Sequence, residues 1–169
     1  MDEAYARAQD LGALIASATN LALSVELYLK ALLITLGLPV PRTHDLVDLY
    51  TRIPGDLKSS LEARYKARPA PAKVYASALQ VALSVGPATD QELDRLGDQP
   101  QSDLENNSLP SVLGRCRDAF QSWRYIHEGG VPGSVALYNY EFHYLHGVAE
   151  TLRDQLMRKI VGDHGVKRP

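Results

Sequence analysis

Leu11, Leu14, Ile15, Ala18, Leu21, Ala22, Val25, Leu29, Leu32, Leu33 and Leu36 recur at steps of three and four, which is one apolar stripe along one helical surface. A stripe this long dictates an amphipathic helix and requires other elements to cover it. Unbroken from Glu3 to Leu36, the helix would be about 50 Å long. That length suits a single domain only if the helix protrudes or pairs with another chain, and a break near Ser17-Ala18-Thr19-Asn20 is the alternative. Gly37 ends the helix and Pro39 and Pro41 prevent its resumption. Two charged residues, Glu26 and Lys30, interrupt the stripe at a favourable i,i+4 spacing. They argue against a membrane span over Leu21 to Val40.

The rest of the chain keeps the helical period. Thr43 is placed to cap a helix carrying Leu46, Leu49 and Tyr50, and Leu57 to Arg68 reads as another helix after Pro54-Gly55. Tyr75, Ala78, Leu79, Ala82 and Leu83 share a face, so Val74 to Ser84 reads as helical. Thr89-Asp90-Gln91-Glu92 matches a capping box for a short helix. Asp98 to Pro110 is the most polar, turn-rich stretch and reads as a surface loop. A helix opening at Ser108 or Leu109 buries Val112, Leu113, Cys116, Ala119, Phe120, Trp123 and Ile126. Gly129-Gly130 and Pro132 stop it. A final helix runs from about Ser134 to Ile160 or Val161, with Phe142, Leu145, Val148, Leu152, Leu156 and Ile160 inward. No segment alternates with period two between turn signals, so no sheet is expected. The fold class is all-α, an up-down helical bundle of about five to seven helices.

At 169 residues the chain fits one domain, 1–169, with a variable region at 84–110 and a tail at 162–169. Such a domain buries roughly two thirds of its unfolded surface. The single Cys116 excludes an intrachain disulfide, and with no signal peptide the expected compartment is the reducing cytoplasm. A net charge of −2 gives no global pull toward nucleic acid or anionic membrane, so RNA contact requires a local basic patch. Arg115, Arg117 and Arg124, on one predicted helix, could form that patch or pair with local carboxylates.

The densest polar segment is Trp123-Arg124-Tyr125-Ile126-His127-Glu128, at the end of an amphipathic helix. Together with Asn20, Glu26 and Lys30 it marks the expected polar core or cleft of the molecule, because charged and imidazole groups in such positions need partners. Ser17, Asn20 and Ser24 form a polar stripe that either lines a cleft or bonds back to its own helix. His143 and His146, with Glu150 four residues further on, share a helical face at a spacing seen among metal ligands. No fourth ligand is evident, and a wet helical face explains the same pattern. No phosphate loop, nucleophile elbow or paired-cysteine metal site occurs, and no cofactor is expected.

The run Asn20 to Leu33, the Gly-Pro turn, His44-Asp45-Leu46 with Leu49, and Phe120-x-x-Trp123-Arg124-Tyr125 together resemble a prokaryotic HEPN-domain protein. The resemblance implies a helical bundle that usually dimerises, with polar residues of two subunits meeting in a shared cleft. Many members are metal-independent ribonucleases, toxins or defence effectors; others have lost catalysis and bind RNA or a protein partner. The catalytic HEPN signature is an Arg followed after four to six residues by a His, in which the imidazole moves the ribose 2′-hydroxyl proton and the guanidinium holds the phosphate. Here only two residues separate Arg124 from His127, and the neighbour of the Arg is Tyr125. Either these two serve an atypical ribonuclease, or Arg124 pairs with a carboxylate such as Glu26 in the interior. Arg158 and His164 match the spacing, but one such match is expected by chance in this chain, and it falls at the C-terminus, with His164 after Gly162. The short spacing favours a non-catalytic, homodimeric module that binds RNA or a partner such as a nucleotidyltransferase-type protein, in a bacterial stress, toxin-antitoxin or defence setting.

Overall fold

In a computed structural model, residues 3–68, 79–84, 107–124, 135–140 and 142–162 are described. Six helices are present among them: α1 (Glu3–Thr35), α2 (Leu46–Thr51), α3 (Gly55–Lys66), α4 (Leu109–Arg115), α5 (Ala119–Arg124) and α6 (Phe142–Val161). The core is all-α. It carries one added two-stranded ladder, β1 (Leu79–Ser84) against β2 (Val135–Tyr140), antiparallel with Leu79 opposite Tyr140 and Ser84 opposite Val135.

Helix α1 runs without a break for 33 residues. The Ser17–Asn20 stretch does not break it, and hydroxyls there and just beyond bond back to the helix: Thr19 Oγ1 donates to the Ile15 carbonyl at 2.9 Å, and Ser24 Oγ to that of Asn20 at 2.8 Å. Gly37, at φ 68°, supplies the left-handed residue that ends the helix, and the Leu38 amide donates to the Leu33 carbonyl at 2.9 Å. Most of the stripe read from the sequence is the core seam: Ala18, Ala22, Val25, Leu29, Leu32 and Leu33 are buried, packed mainly against α5 and α6, whereas Leu14 is exposed. By length and composition alone, Gly12–Thr35 is apolar enough to cross a bilayer. Its buried seam is instead the centre of the described core.

Other elements depart from the sequence reading in instructive ways. The cap of α2 is Asp45 rather than Thr43; its carboxylate accepts from the amides of Val47 and Asp48 at 2.9 and 3.2 Å, while Thr43 Oγ1 accepts from the Asp45 amide. The helix expected from Ser108 through Ile126 is interrupted, with a turn at Cys116–Asp118 separating α4 from α5. Its start is as read, since Ser108 caps α4. Glu62 of α3 accepts from the Leu109 amide at 3.0 Å, tying α3 to that same helix start. Burial, and then the charge of Glu62, push the Tyr50 hydroxyl up to about 12. Two helical readings are corrected: residues 79–84 and 135–140 are strands. Both are six-residue apolar runs rich in residues that suit either state, and backbone pairing with a segment some fifty positions away selects the extended form. The capping box at 89–92 lies outside the described residues.

Leu29 is fully buried, whereas Leu27, two residues earlier, is 53% exposed. Leu29→Ala is therefore expected to cost about 2–5 kcal/mol in urea unfolding. Leu27→Ala, measured on dilute protein, should stay within about 0.5 kcal/mol of the parent. Equal losses at the two positions would contradict this packing of α1.

Candidate functional site

The polar centre forms where α1, the entry to α2 and α5 meet. Glu26 sits in the middle of the apolar seam with its side chain only 3% exposed. Lys30 Nζ, one turn later, donates to Oε1 at 2.7 Å. From the other side His44 Nδ1 lies 3.0 Å from Oε2 and 3.1 Å from Oε1. Paired with an ammonium, a carboxylate only accepts, so Nδ1 carries a proton and the imidazole is held by a forked hydrogen bond. His44 is 44% exposed, and among the described residues it meets this carboxylate and the ring of Phe120, 5.2 Å away centre to centre and tilted by 39°. Its second nitrogen, Nε2, lies across the ring from the atom that meets the carboxylate.

Phe120 also carries a cation. The Arg124 guanidinium lies over it at 5.6 Å, at the exposed end of α5, while Trp123 is buried beneath. One buried aromatic ring therefore joins the imidazole and the guanidinium. Beside them Asp45 pairs with Arg117, and the Leu46 amide donates to the Arg117 carbonyl at 3.1 Å, fixing the segment that carries His44 to the α4–α5 turn. Desolvation pushes the Asp45 carboxyl up, but the hydrogen bond from Arg117, those from the Asp48 and Val47 amides, and the guanidinium charge outweigh it and hold it below its ordinary value.

Of the residues singled out from sequence, Glu26 and Lys30 meet here and Arg124 lies at the rim. The interior pairing of Arg124 with Glu26 does not form; the partners of Glu26 are Lys30 and His44. Asn20 is exposed, its carbonyl occupied by Ser24. Tyr125, His127, Glu128 and His164 lie outside the described residues. The three arginines do not share one helix: Arg115 Nη2 donates to Asn107 at 3.3 Å, and Arg117 sits in the turn. His143 and His146 flank Phe142, the first edge-on and the second stacked. Glu150, the third residue of that pattern, is paired with Arg68, and among the described residues no group of three or more metal-ligating side chains is assembled. Burial, then the charges of Arg68, Arg153 and His143, pull His146 below its ordinary value. The residue that sequence reasoning missed is His44. Its signal was a histidine directly before the capping Asp45, with an unexplained buried carboxylate eighteen residues earlier.

Residues 4–80 match the family model of the HEPN domain. Over these residues the chain is similar to a HEPN domain. The match spans α1 to α3 and reaches the start of β1, so it contains Glu26, Lys30, His44 and Asp45; Phe120 and Arg124 come from beyond it. HEPN domains serve as ribonuclease-like or regulatory modules. Comparison with curated proteins and with solved structures returns no match.

Two outcomes follow for this site. Lys30→Met leaves the Glu26 carboxylate buried with one partner and should destabilise the fold by about 1–3 kcal/mol. Adding Glu26→Leu should recover much of that loss, a coupling read from a double-mutant cycle of urea midpoints, and additive losses would contradict the pairing. Because the Asp45 carboxyl is depressed, its contribution is present above its ordinary value of 3.8 and is lost as pH falls through the lowered value. Asp45→Ala should cost about 1 kcal/mol at neutral pH and lose less than the parent on further acidification. Parallel acid limbs for parent and variant would count against this assignment.

Proposed function

We propose that this HEPN-domain protein is a homodimeric, non-catalytic regulatory module that binds RNA, working in the cytoplasm of a prokaryote within a stress, toxin-antitoxin or defence system. One observation carries the reading: a half-exposed imidazole, anchored by a buried carboxylate, and a guanidinium both contact the ring of Phe120. Such a pair suits the sugar-phosphate backbone of RNA, since a guanidinium forks onto phosphate and an imidazole bonds to a sugar hydroxyl. The Glu26 carboxylate adds no exposed negative charge to that surface.

The exposed face of α1 supports the dimer. Leu27 and Ile34, seven residues apart, project on one side at 53% and 66% exposure, and Lys30 falls between them on the same side. A second copy laid on this stripe would bring two polar clusters together, as HEPN bundles arrange them. A co-encoded nucleotidyltransferase-type protein is the proposed partner of the assembled dimer. A metal-independent ribonuclease using Arg124 and His127 is the competing outcome of the same experiments.

Binding of single-stranded RNA, followed by fluorescence anisotropy between 50 and 200 mM salt in the presence of a chelator, tests the reading. Affinity should fall linearly on logarithmic axes as salt rises. Arg124→Ala should weaken binding about tenfold, the size of one charge-assisted contact, while the RNA remains intact. Absence of binding at low salt would overturn the RNA reading, and cleavage lost in both Arg124→Ala and His127→Ala would replace it with the ribonuclease. Ile34→Glu should convert the dimer to a monomer in sedimentation velocity.

A further inference from the structure

We propose that His44 is the residue by which this site distinguishes RNA from DNA, its Nε2 accepting a hydrogen bond from a ribose 2′-hydroxyl. The inference rests on the RNA-binding reading above and adds the specificity contact to it. The carboxylate of Glu26, buried and accepting through both oxygens from Nδ1, selects the tautomer whose proton is on Nδ1. In the neutral ring the outer nitrogen is then a lone pair without a proton. A lone pair on a half-exposed ring asks for a hydroxyl or N–H donor, and phosphate oxygens offer none. The 2′-hydroxyl is the donor that RNA has and DNA lacks.

Position makes the contact specific. The imidazole is fixed at three points: by the carboxylate, by the face of Phe120 at 5.2 Å, and by the backbone of the next residue, whose carboxylate caps α2 and pairs with Arg117. Phe120 also seats the Arg124 guanidinium, 5.6 Å from the ring centre. Lys30 balances the charge of Glu26 by donating to Oε1, and Oε2 accepts from the imidazole. A histidine that served only to satisfy Glu26 would do so equally well whatever its outer nitrogen meets. The ligand-facing half of the ring is what the proposal adds.

The test compares the affinities of the full-length protein for one single-stranded sequence made as RNA, as 2′-O-methyl RNA and as uracil-containing DNA. The parent should bind the RNA about three- to tenfold more tightly than either analogue, the worth of one hydrogen bond. His44→Asn keeps an amide N–H that can reach Glu26 in place of Nδ1 but removes Nε2. It should bring all three affinities together while leaving the salt slope unchanged, with folding checked by thermal melting. Glu26→Gln, which removes the charge that fixes the tautomer, should narrow the RNA preference less. If Glu26→Gln and a folded His44→Asn both keep the parent's preference, or if the parent binds the three strands alike, the proposal is overturned while RNA binding stands. If the parent binds none of them, the RNA-binding reading falls together with this one.

Discussion

A carboxylate sunk in a seam of leucines is the constraint around which this molecule is arranged. Glu26 occupies a helical position whose neighbours, Ala22, Val25, Leu29 and Leu33, are all buried, and an ionised group there is tolerated only with partners supplied at the right distance. One partner is local and follows from helix geometry: Lys30 is one turn away. The other must come from outside the helix, and this requirement dictates the path of the chain after Gly37. The segment from Leu38 to Asp45 turns back so that His44 meets the carboxylate, Asp45 starts α2, and Arg117 pins the junction from α4–α5. The polar site is thus a consequence of burying Glu26.

The same arrangement explains why an interior charge and a half-exposed imidazole coexist. A buried ion pair contributes little net stability over a well-packed apolar replacement, but it fixes orientation. Here what it orients is an imidazole against Phe120, whose ring also carries the Arg124 guanidinium. The rigid part is below and the chemically useful atoms are above. Helix α1 contributes on two sides at once, its inner face carrying Glu26 and its outer face the exposed Leu27 and Ile34.

Much of this was legible in the sequence where the information is local or periodic. The α1 seam, the inward positions Leu145, Val148 and Leu152 of α6, the buried Trp123 and the capping Ser108 follow from spacing alone. The importance of Glu26 and Lys30 was visible as charge inside an apolar stripe. What spacing could not supply was the identity of the third member. Arg124 and His44 were both available to Glu26, and the choice depends on the turn after Gly37, which no helical period encodes. The two strands escaped for a similar reason: a six-residue apolar run declares itself extended only once its partner is known, and β2 begins some fifty residues after β1 ends. The cap at Asp45 was displaced by two residues from Thr43 because both side chains can cap, and the additional bond to Arg117 favours the carboxylate.

Direct observation of the His44 tautomer tests the central claim that Glu26 sets this site. Long-range nitrogen–proton correlation NMR on the isotope-labelled protein separates the two imidazole nitrogens by shift and coupling pattern. The neutral His44 ring should carry its proton on Nδ1, and in Glu26→Ala that preference should relax toward a mixture. A neutral ring protonated on Nε2, or a pattern indifferent to the loss of Glu26, would contradict the account.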